Sequence, residues 1–194
     1  MPWQCISMTH KPPLIAHVIH RFDIGGLENG VVNLINRIPP DQYRHAIIAM
    51  TEYTDFARRL TNPNVSLYAI RKREGKDVGA YLRLWRLFRQ LRPAMVHSRN
   101  LSAIEAAVVA ALAGVPHRVH GEHGRDVHDI DGSNKKYLRL RRMCQPFIHR
   151  YIPLSQDLEG WLRQVVGVPG AKVAQPYNGG DQQRFAPGAR NALP

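Results

Sequence analysis

The stretch LIAHVIHRFDIGGLENGVVNLINR, residues 14–37, sets the architecture. It opens with an almost unbroken apolar run, Leu14–His20, as expected of a strand buried on both faces. It then passes through Gly25-Gly26 and continues with apolar residues at helical spacing over Leu27–Arg37. The same rhythm recurs along the chain. Further strands are expected at Ala46–Met50, Val65–Ile70, Met95–His97, Arg118–Gly121, Tyr151–Leu154 and Lys172–Gln175. Helices are expected between them, at Glu52–Leu60, Asp77–Leu91, Ser102–Ala113, Lys135–Phe147 and Ser155–Val166. Strands alternating with helices in this way form βαβ units, so the expected fold is α/β, with a parallel sheet of about seven strands flanked by helices.

Punctuation supports these elements. Asp77 and Ser155 stand where helix caps belong, and LAGVP at 112–116 and VVGVP at 165–169 each close a helix with glycine followed by proline. No internal repeat or linker divides the chain before about residue 178. The following NGGDQQRFAPGARNALP loses periodicity. The expected organisation is an N-terminal extension over 1–13, one domain over 14–178, and a linker or tail over 179–194 that leads toward a further domain.

Composition narrows the function classes. With 44% hydrophobic and 22% charged residues among 194, the chain suits a globular domain rather than a disordered one. Cys5 and Cys144 are far apart and have no C-x-x-C spacing, so neither a disulfide framework nor a thiolate zinc site is indicated. There is no secretory signal and no membrane-spanning apolar run, so a cytoplasmic setting is expected. Lysine and arginine number 27 against 15 acidic residues, a net charge of +12 that favours polyanions or phosphorylated ligands. Much of this charge lies in IRKREGKDVGAYLRLWRLFRQLRP and NKKYLRLRRMCQPFIHR, where arginines alternate with apolar residues at helical spacing.

Three loops follow expected strands and carry polar groups. The Gly25-Gly26 turn opens a helix and is suited either to a tight bend or to close approach of an anion. It is neither G-x-G-x-x-G nor a Walker motif. VHSRN places His97, Ser98, Arg99 and Asn100 at the end of the fourth strand. HRVHGEHGRDVH, residues 117–128, packs four histidines around the end of the fifth. Glycines flank the glutamate of HGEHG, which is unlike a helical zinc motif, so metal binding, anion or sugar contact, and packing all stay open for these imidazoles. In doubly wound sheets, ligands bind at the carboxyl ends of strands, where these three loops lie.

GGLENGVVNLI, PAMVHSRN, VHGEHGRD, YIPLSQDL and NGGDQQRFAP, in this order, resemble the N-terminal half of family 4 retaining glycosyltransferases of GT-B architecture. The resemblance covers about residues 14 to 187, and HGEHGRD most resembles sugar transferases of bacterial exopolysaccharide loci. It implies a Rossmann-like, acceptor-side domain, with the active site in a cleft facing a second, donor-binding domain. It further implies that Gly25, Gly26, Asn178 and Gly179 lie at the donor sugar or phosphate and that His123 is the catalytic histidine. Glu28, Arg99, Glu122, Arg125 and Asp126 become cleft or acceptor candidates, while His117, His120 and His128 revert to packing.

The implied function is transfer of a hexose from a nucleotide-sugar donor to a saccharide or lipid-linked acceptor in polysaccharide biosynthesis. No cofactor or obligatory metal is expected, and peripheral contact with the inner face of the cell membrane is. Gly180 departs from the family's aliphatic residue after Asn-Gly, and the donor-binding half lies outside the resemblance, so this chain alone is expected to be inactive. Two competing readings are a non-catalytic basic module for nucleic acid or anionic membrane, and a small one-domain nucleotide enzyme. The first lacks any nucleic-acid recognition motif and the second lacks G-x-G-x-x-G.

Overall fold

A computed structural model of the chain describes residues 11–124, 129 and 131–174. The elements run β1 (Leu14–Ile19), α1 (Gly26–Arg37), β2 (Arg44–Ala49), β3 (Val65–Ala69), α2 (Val78–Leu91), β4 (Met95–Arg99), α3 (Ala106–Leu112), β5 (His117–Glu122), α4 (Lys135–Cys144), β6 (Arg150–Pro153) and α5 (Gln156–Trp161). The six strands form one parallel sheet in the order β3-β2-β1-β4-β5-β6.

Strand order reverses between β1 and β4. The chain builds outward from β1 to β3 on one side, then returns to the middle and builds outward again. Because crossovers in parallel sheets are right-handed, this reversal puts the connecting helices on opposite faces. On one face, α1 packs Val31, Val32 and Ile35 against Ile19, Ile47 and Ala49. On the other, α2 and α3 bury Leu84, Phe88, Val109 and Ala110 against Ala16, Val18, Ile48 and Val96. Beside them α4 and α5 add Leu138, Cys144, Leu158 and Trp161 around Tyr151. The reversal also leaves a crevice at the carboxyl ends of β1 and β4, where loops diverge to opposite faces.

Four expected elements differ in detail. Lys172–Gln175 adds no seventh strand among the described residues: Val173 makes only an isolated bridge to Tyr151, and Lys172 closes a 3-10 turn. Its ammonium donates to the carbonyls of Gln145 and Ile148, at 3.2 and 2.9 Å, tying the segment to the end of α4. Glu52–Leu60 shortens to a 3-10 turn at Asp55–Arg59, because the extended Phe22–Tyr53 bridge holds the chain just before it. Ser102–Ala113 divides into a 3-10 turn at Leu101–Ala103 and then α3. Ser155–Val166 begins as α5 and ends in a π turn closed by Gly167, whose positive φ of 89° suits glycine.

Asp77 caps α2 through its side chain, which accepts from the Ala80 N–H at 3.0 Å, and Ser155 caps α5 in the same manner. The 3.6-residue period of α2 separates a core side, with Leu84 fully buried, from an outer side carrying Leu82. Leu84→Ala should therefore lower unfolding free energy by about 2–5 kcal/mol. Leu82→Ala should change it by no more than about 0.5 kcal/mol. Urea titration of the two variants checks this contrast, and similar losses would contradict the placement of α2.

Candidate functional site

The alternation of each strand sorts the rim residues between the two faces of the sheet. His17 of β1 lies in register with His97 of β4, and Arg99 lies in register with Gly121 of β5. Together with His123, which follows β5, these groups occupy the α1 side. Ser98, His120 and Glu122, one residue out of step, face the opposite side.

Arg99 is the centre of the first group. Its side chain is buried, 3% exposed, and its Nη1 and Nη2 donate to Nδ1 of His17 and Nδ1 of His97, both at 3.2 Å. Burial pushes its pKa down to about 10, opposed by the carboxylate of Glu28, so the guanidinium stays charged near neutral pH. A guanidinium only donates, so both imidazoles must present an unprotonated Nδ1 and carry their proton on Nε2. The Nε2 of His17 then donates to Nδ1 of His45, at 3.1 Å. Three histidines and one arginine thus form a chain with defined tautomers beneath the crevice. Burial, then Arg99 and neighbouring imidazoles, holds His17 and His97 well below the ordinary histidine pKa.

His123 sits at the mouth of this group. Its backbone N–H donates to Oδ1 of Asn100, at 2.8 Å, and the N–H of Asn100 donates to the carbonyl of Gly121, at 2.8 Å. Asn100 adopts a positive φ of 58°, which asparagine tolerates better than most residues. Its bridge fixes the β5 loop against the β4 loop. Gly121 leaves room beneath: a Cβ there would stand 2.8 Å from Nε2 of His123 and 3.1 Å from Nε2 of His97, so a larger residue would displace the His123 ring. Both Nε2 atoms are shielded from solvent and have no hydrogen-bond partner among the described residues. Burial, followed by Arg99 and His120, lowers the His123 pKa to about 4, so its imidazole is neutral near pH 7.

Gly25 caps α1 in extended conformation, and Gly26 begins its first turn. The Glu28 carboxylate folds back over Gly25, where a Cβ would lie 2.2 Å from Oε2. A Cβ at Gly26 would meet no described residue beyond its own turn within 4 Å, so that side of the helix N-terminus is open. The structure therefore brings Gly25, Gly26 and Glu28 to the same crevice as Arg99 and His123. The positive end of α1 and a buried cation meet neutral imidazoles there, an arrangement suited to anionic groups and hydroxyls. A concavity of about 700 Å³ elsewhere, along α5 between Gln156 and Gly170, shares none of these residues.

Glu122 has a different environment. It is fully buried on the other face, where Nε of Arg141 donates to its Oε1 at 2.8 Å. Burial alone would raise its pKa, but His120 and Arg141 outweigh that effect and hold the carboxyl below its usual value. Arg141 also lies over the ring of Trp161, at 4.7 Å. Glu122 therefore ties the sheet to α4 and α5 instead of lining the crevice. His120 is buried and pairs with Oγ of Ser98 at 2.9 Å, while His117 is exposed at the start of β5, away from the rim. Arg125, Asp126, His128, Asn178 and Gly179 fall outside the described residues.

Sequence reasoning missed His17 and His45 as supports and left His97 without a partner. The available signal was a histidine inside each of three apolar runs, LIAHVIH, RHAIIAM and AMVHSRN. Among the described residues, no group of three or more His, Cys, Asp or Glu is arranged to hold a metal ion.

The fold and crevice define a doubly wound α/β domain with polar groups gathered at its switch point. The model of glycosyltransferase family 4 matches residues 24–184, and the chain belongs to that family. No curated protein matches it by sequence. Among solved structures, it is similar to Anabaena Alr3699/HepE in complex with UDP and glucose, at TM-score 0.68 and 15% identity, covering 88% of this chain and 46% of that one. It also resembles a glycosyltransferase from Rickettsia africae, at TM-score 0.65 and 12% identity, covering 91% and 46%. A UDP-N-acetylglucosamine 2-epimerase from Rickettsia bellii shares the fold at TM-score 0.58 and 11% identity, covering 87% and 45%. The chain thus spans about half the length of these proteins and is one Rossmann-like half of a GT-B fold.

The histidine chain gives stability a definite pH dependence. The folded-state pKa values of His17, His45, His97 and His123 all lie below the ordinary 6.5, so between that value and about 4 the unfolded chain binds more protons than the folded one. Their contribution is fully present above pH 6.5 and is lost as pH falls toward the folded values. The urea midpoint should fall between neutral pH and about pH 5, and His17→Gln, which cannot titrate, should flatten that fall. A midpoint that stays constant over this range would exclude the neutral-histidine arrangement.

Proposed function

We propose that the chain is the acceptor-side half of a retaining glycosyltransferase that moves a hexose from a nucleotide-sugar donor to a saccharide or lipid-linked acceptor in polysaccharide biosynthesis. The observation that carries this reading is the convergence of the α1 N-terminus, buried Arg99 and His123 at the strand-order reversal of a family 4 chain. The complex of the similar HepE fold with UDP and glucose supports the donor class.

Each group has a definite task in this reading. As the glycosidic bond to the diphosphate breaks, negative charge grows on the leaving oxygens, and donors already aimed at them stabilise the transition state. Gly26 allows close approach to the α1 N-terminus, whose free N–H groups favour that charge. Arg99 adds a fixed positive charge from below. Neutral His123 offers a hydrogen bond to a hydroxyl of the transferred sugar or to a diphosphate oxygen, and Asn100 holds its backbone in place. Asn178 and Gly179 would contact the donor, and Arg125 and Asp126 the acceptor. The donor is a substrate, so no resident cofactor is assigned, and no obligatory metal is needed. A cytoplasmic setting fits the donor and the unpaired, buried Cys144, whose thiol pKa burial raises to about 11.

The test joins the chain to a family 4 donor-binding domain and measures hydrolysis and transfer with the common nucleotide sugars. Activity with none of them would refute the proposal. In an active fusion, His123→Ala should reduce kcat by about 10²–10³-fold, the scale of losing one preorganised donor. Its urea midpoint should stay near that of the parent. Parallel losses of turnover and stability would make His123 a packing residue.

A further inference from the structure

We propose that the concavity at the carboxyl ends of β2 and β3 is an acceptor subsite for an acidic sugar, whose carboxylate or phosphate is held by Arg71 and Lys72. The proposal rests on the acceptor-side role proposed for the chain and adds to it the charge class of the acceptor.

The concavity measures about 630 Å³, and Thr51, Tyr53, Leu67, Tyr68, Arg71 and Lys72 line it. Backbone joins it to the crevice. The segment after β1, which leads into Gly25, is strapped to the segment after β2: Phe22 bridges Tyr53, and Oγ1 of Thr54 donates to Oδ1 of Asp23 at 3.0 Å. Neighbouring strands lie about 4.8 Å apart, so β3 stands about 10 Å from β1, within reach of a short oligosaccharide whose acceptor end sits at the switch point. Because β3 is an edge strand, the rest of that saccharide can continue outward past it. Tyr53 is 44% exposed and offers a ring face with a polar tip, a surface suited to the C–H groups and hydroxyls of a sugar.

The turn after β3 is built to present cations. Residues 71–76, RKREGK, hold four cations and one carboxylate. Arg71 has a φ of 55°, left-handed backbone that a long side chain seldom adopts. Its N–H donates to the Thr51 carbonyl at 3.1 Å, and that of Lys72 to the Met50 carbonyl at 2.8 Å. Arg83 grips the same turn from α2, donating to the carbonyls of Ile70 and Arg71 at 2.9 and 3.2 Å, and Asp77 balances the charge of this clamp at 3.1 Å. Strained residues persist where their surroundings hold them so firmly, and they cluster at ligand sites. Arg71 is left exposed, and Lys72 donates to the Gly75 carbonyl at 3.2 Å, which does not cancel its charge. Among the described residues no carboxylate pairs with either, and Glu52, on the same lining, is taken by Arg21 at 3.0 Å. An arginine fork beside a lysine matches a carboxylate or a phosphate, whereas a neutral sugar leaves both cations unanswered. The donor diphosphate is assigned to the α1 N-terminus and Arg99, so this second positive site, two strands away, falls to the acceptor.

Chemical-shift titration of the 194-residue chain with glucuronic acid, glucose 6-phosphate and glucose tests this. At least one of the two acids should bind about tenfold more tightly than glucose, the scale of hydrogen bonds to a charged group, and the tighter acid identifies the anion as carboxylate or phosphate. Arg71→Asn/Lys72→Ser should bring that acid down to the level of glucose with an unchanged circular dichroism spectrum. Should the pair misfold, Arg71→Asn decides alone, since asparagine tolerates the left-handed backbone. Equal binding of all three sugars, or binding of none, overturns the proposal. So does acid binding that survives the substitutions, which would place the anion in the Arg99 crevice. In the fusion with a donor-binding domain, the double variant should raise KM for an acidic acceptor about tenfold with kcat unchanged. An active fusion that does not prefer acidic over neutral acceptors overturns this subsite alone. Arg71-dependent binding in a fusion that transfers no sugar leaves the subsite standing and removes the transferase reading.

Discussion

A buried guanidinium is the constraint around which the crevice is organised. Arg99 ends the central strand β4 and has almost no contact with solvent, so its charge must be satisfied within the protein. Among the described residues it has no ion pair of close geometry and instead uses the Nδ1 atoms of His17 and His97, with Glu28 opposing across the crevice. Neutral imidazoles can accept from a cation and still present an Nε2 proton on their far side. One arginine thereby dictates the protonation pattern of two adjacent strands, and through His17 of a third. Burial first, and then the charge of Arg99 at hydrogen-bonding distance, holds both histidines well below their usual range.

The parallel sheet makes that arrangement compatible with a second, independent polar network. Because side chains alternate, Arg99 and Gly121 face α1 while Ser98, His120 and Glu122 face α3 and α4. Glu122 and Arg141 form a bidentate contact on that second face, anchored beside Trp161, so the carboxylate is unavailable to the crevice. His123 is the next residue along and emerges from the end of β5 beside Asn100. Two neighbours in HGEHG therefore do separate work: Glu122 holds the helical layer to the sheet, and His123 faces the crevice. Removing one partner of such a buried pair typically costs about 3–5 kcal/mol, so Glu122 matters through folding even though it faces away from the crevice.

Much of this architecture was readable from residues 14–37 and their recurrence: strand, glycine turn and amphipathic helix, repeated with spacing that allows only parallel crossovers. The α1 turn was legible because Gly25-Gly26 sits between two strong periodicities. The seventh strand failed because Lys172–Gln175 has strand-like composition but is drawn by the Lys172 ammonium onto carbonyls at the end of α4. The Glu52–Leu60 helix failed because pairing with Phe22 competes with helix formation. Within the site, motif order pointed to Gly25, Glu28, Arg99 and His123. It could not separate Glu122 from His123, since which face a residue takes depends on the register of β5 with β4. Nor could it reveal His17 and His45, whose meaning arises only when non-adjacent segments are laid side by side.

The same geometry explains why half a GT-B fold presents polar groups with unfinished hydrogen bonding. Among the described residues, His97 and His123 each hold an Nε2 with no partner, over a glycine that leaves them room. Buried donors without acceptors are costly in a finished core, and the protein has not relieved that cost by substituting apolar residues. The Arg99 chain runs from β2 through β1 to β4 and terminates at the crevice mouth beside the α1 N-terminus. Within that chain Arg99 fixes the tautomers of His17 and His97, so no proton need move along it when a ligand arrives. Preorganisation of that kind is what a growing negative charge requires, and it comes from one arginine placed where strand order reverses.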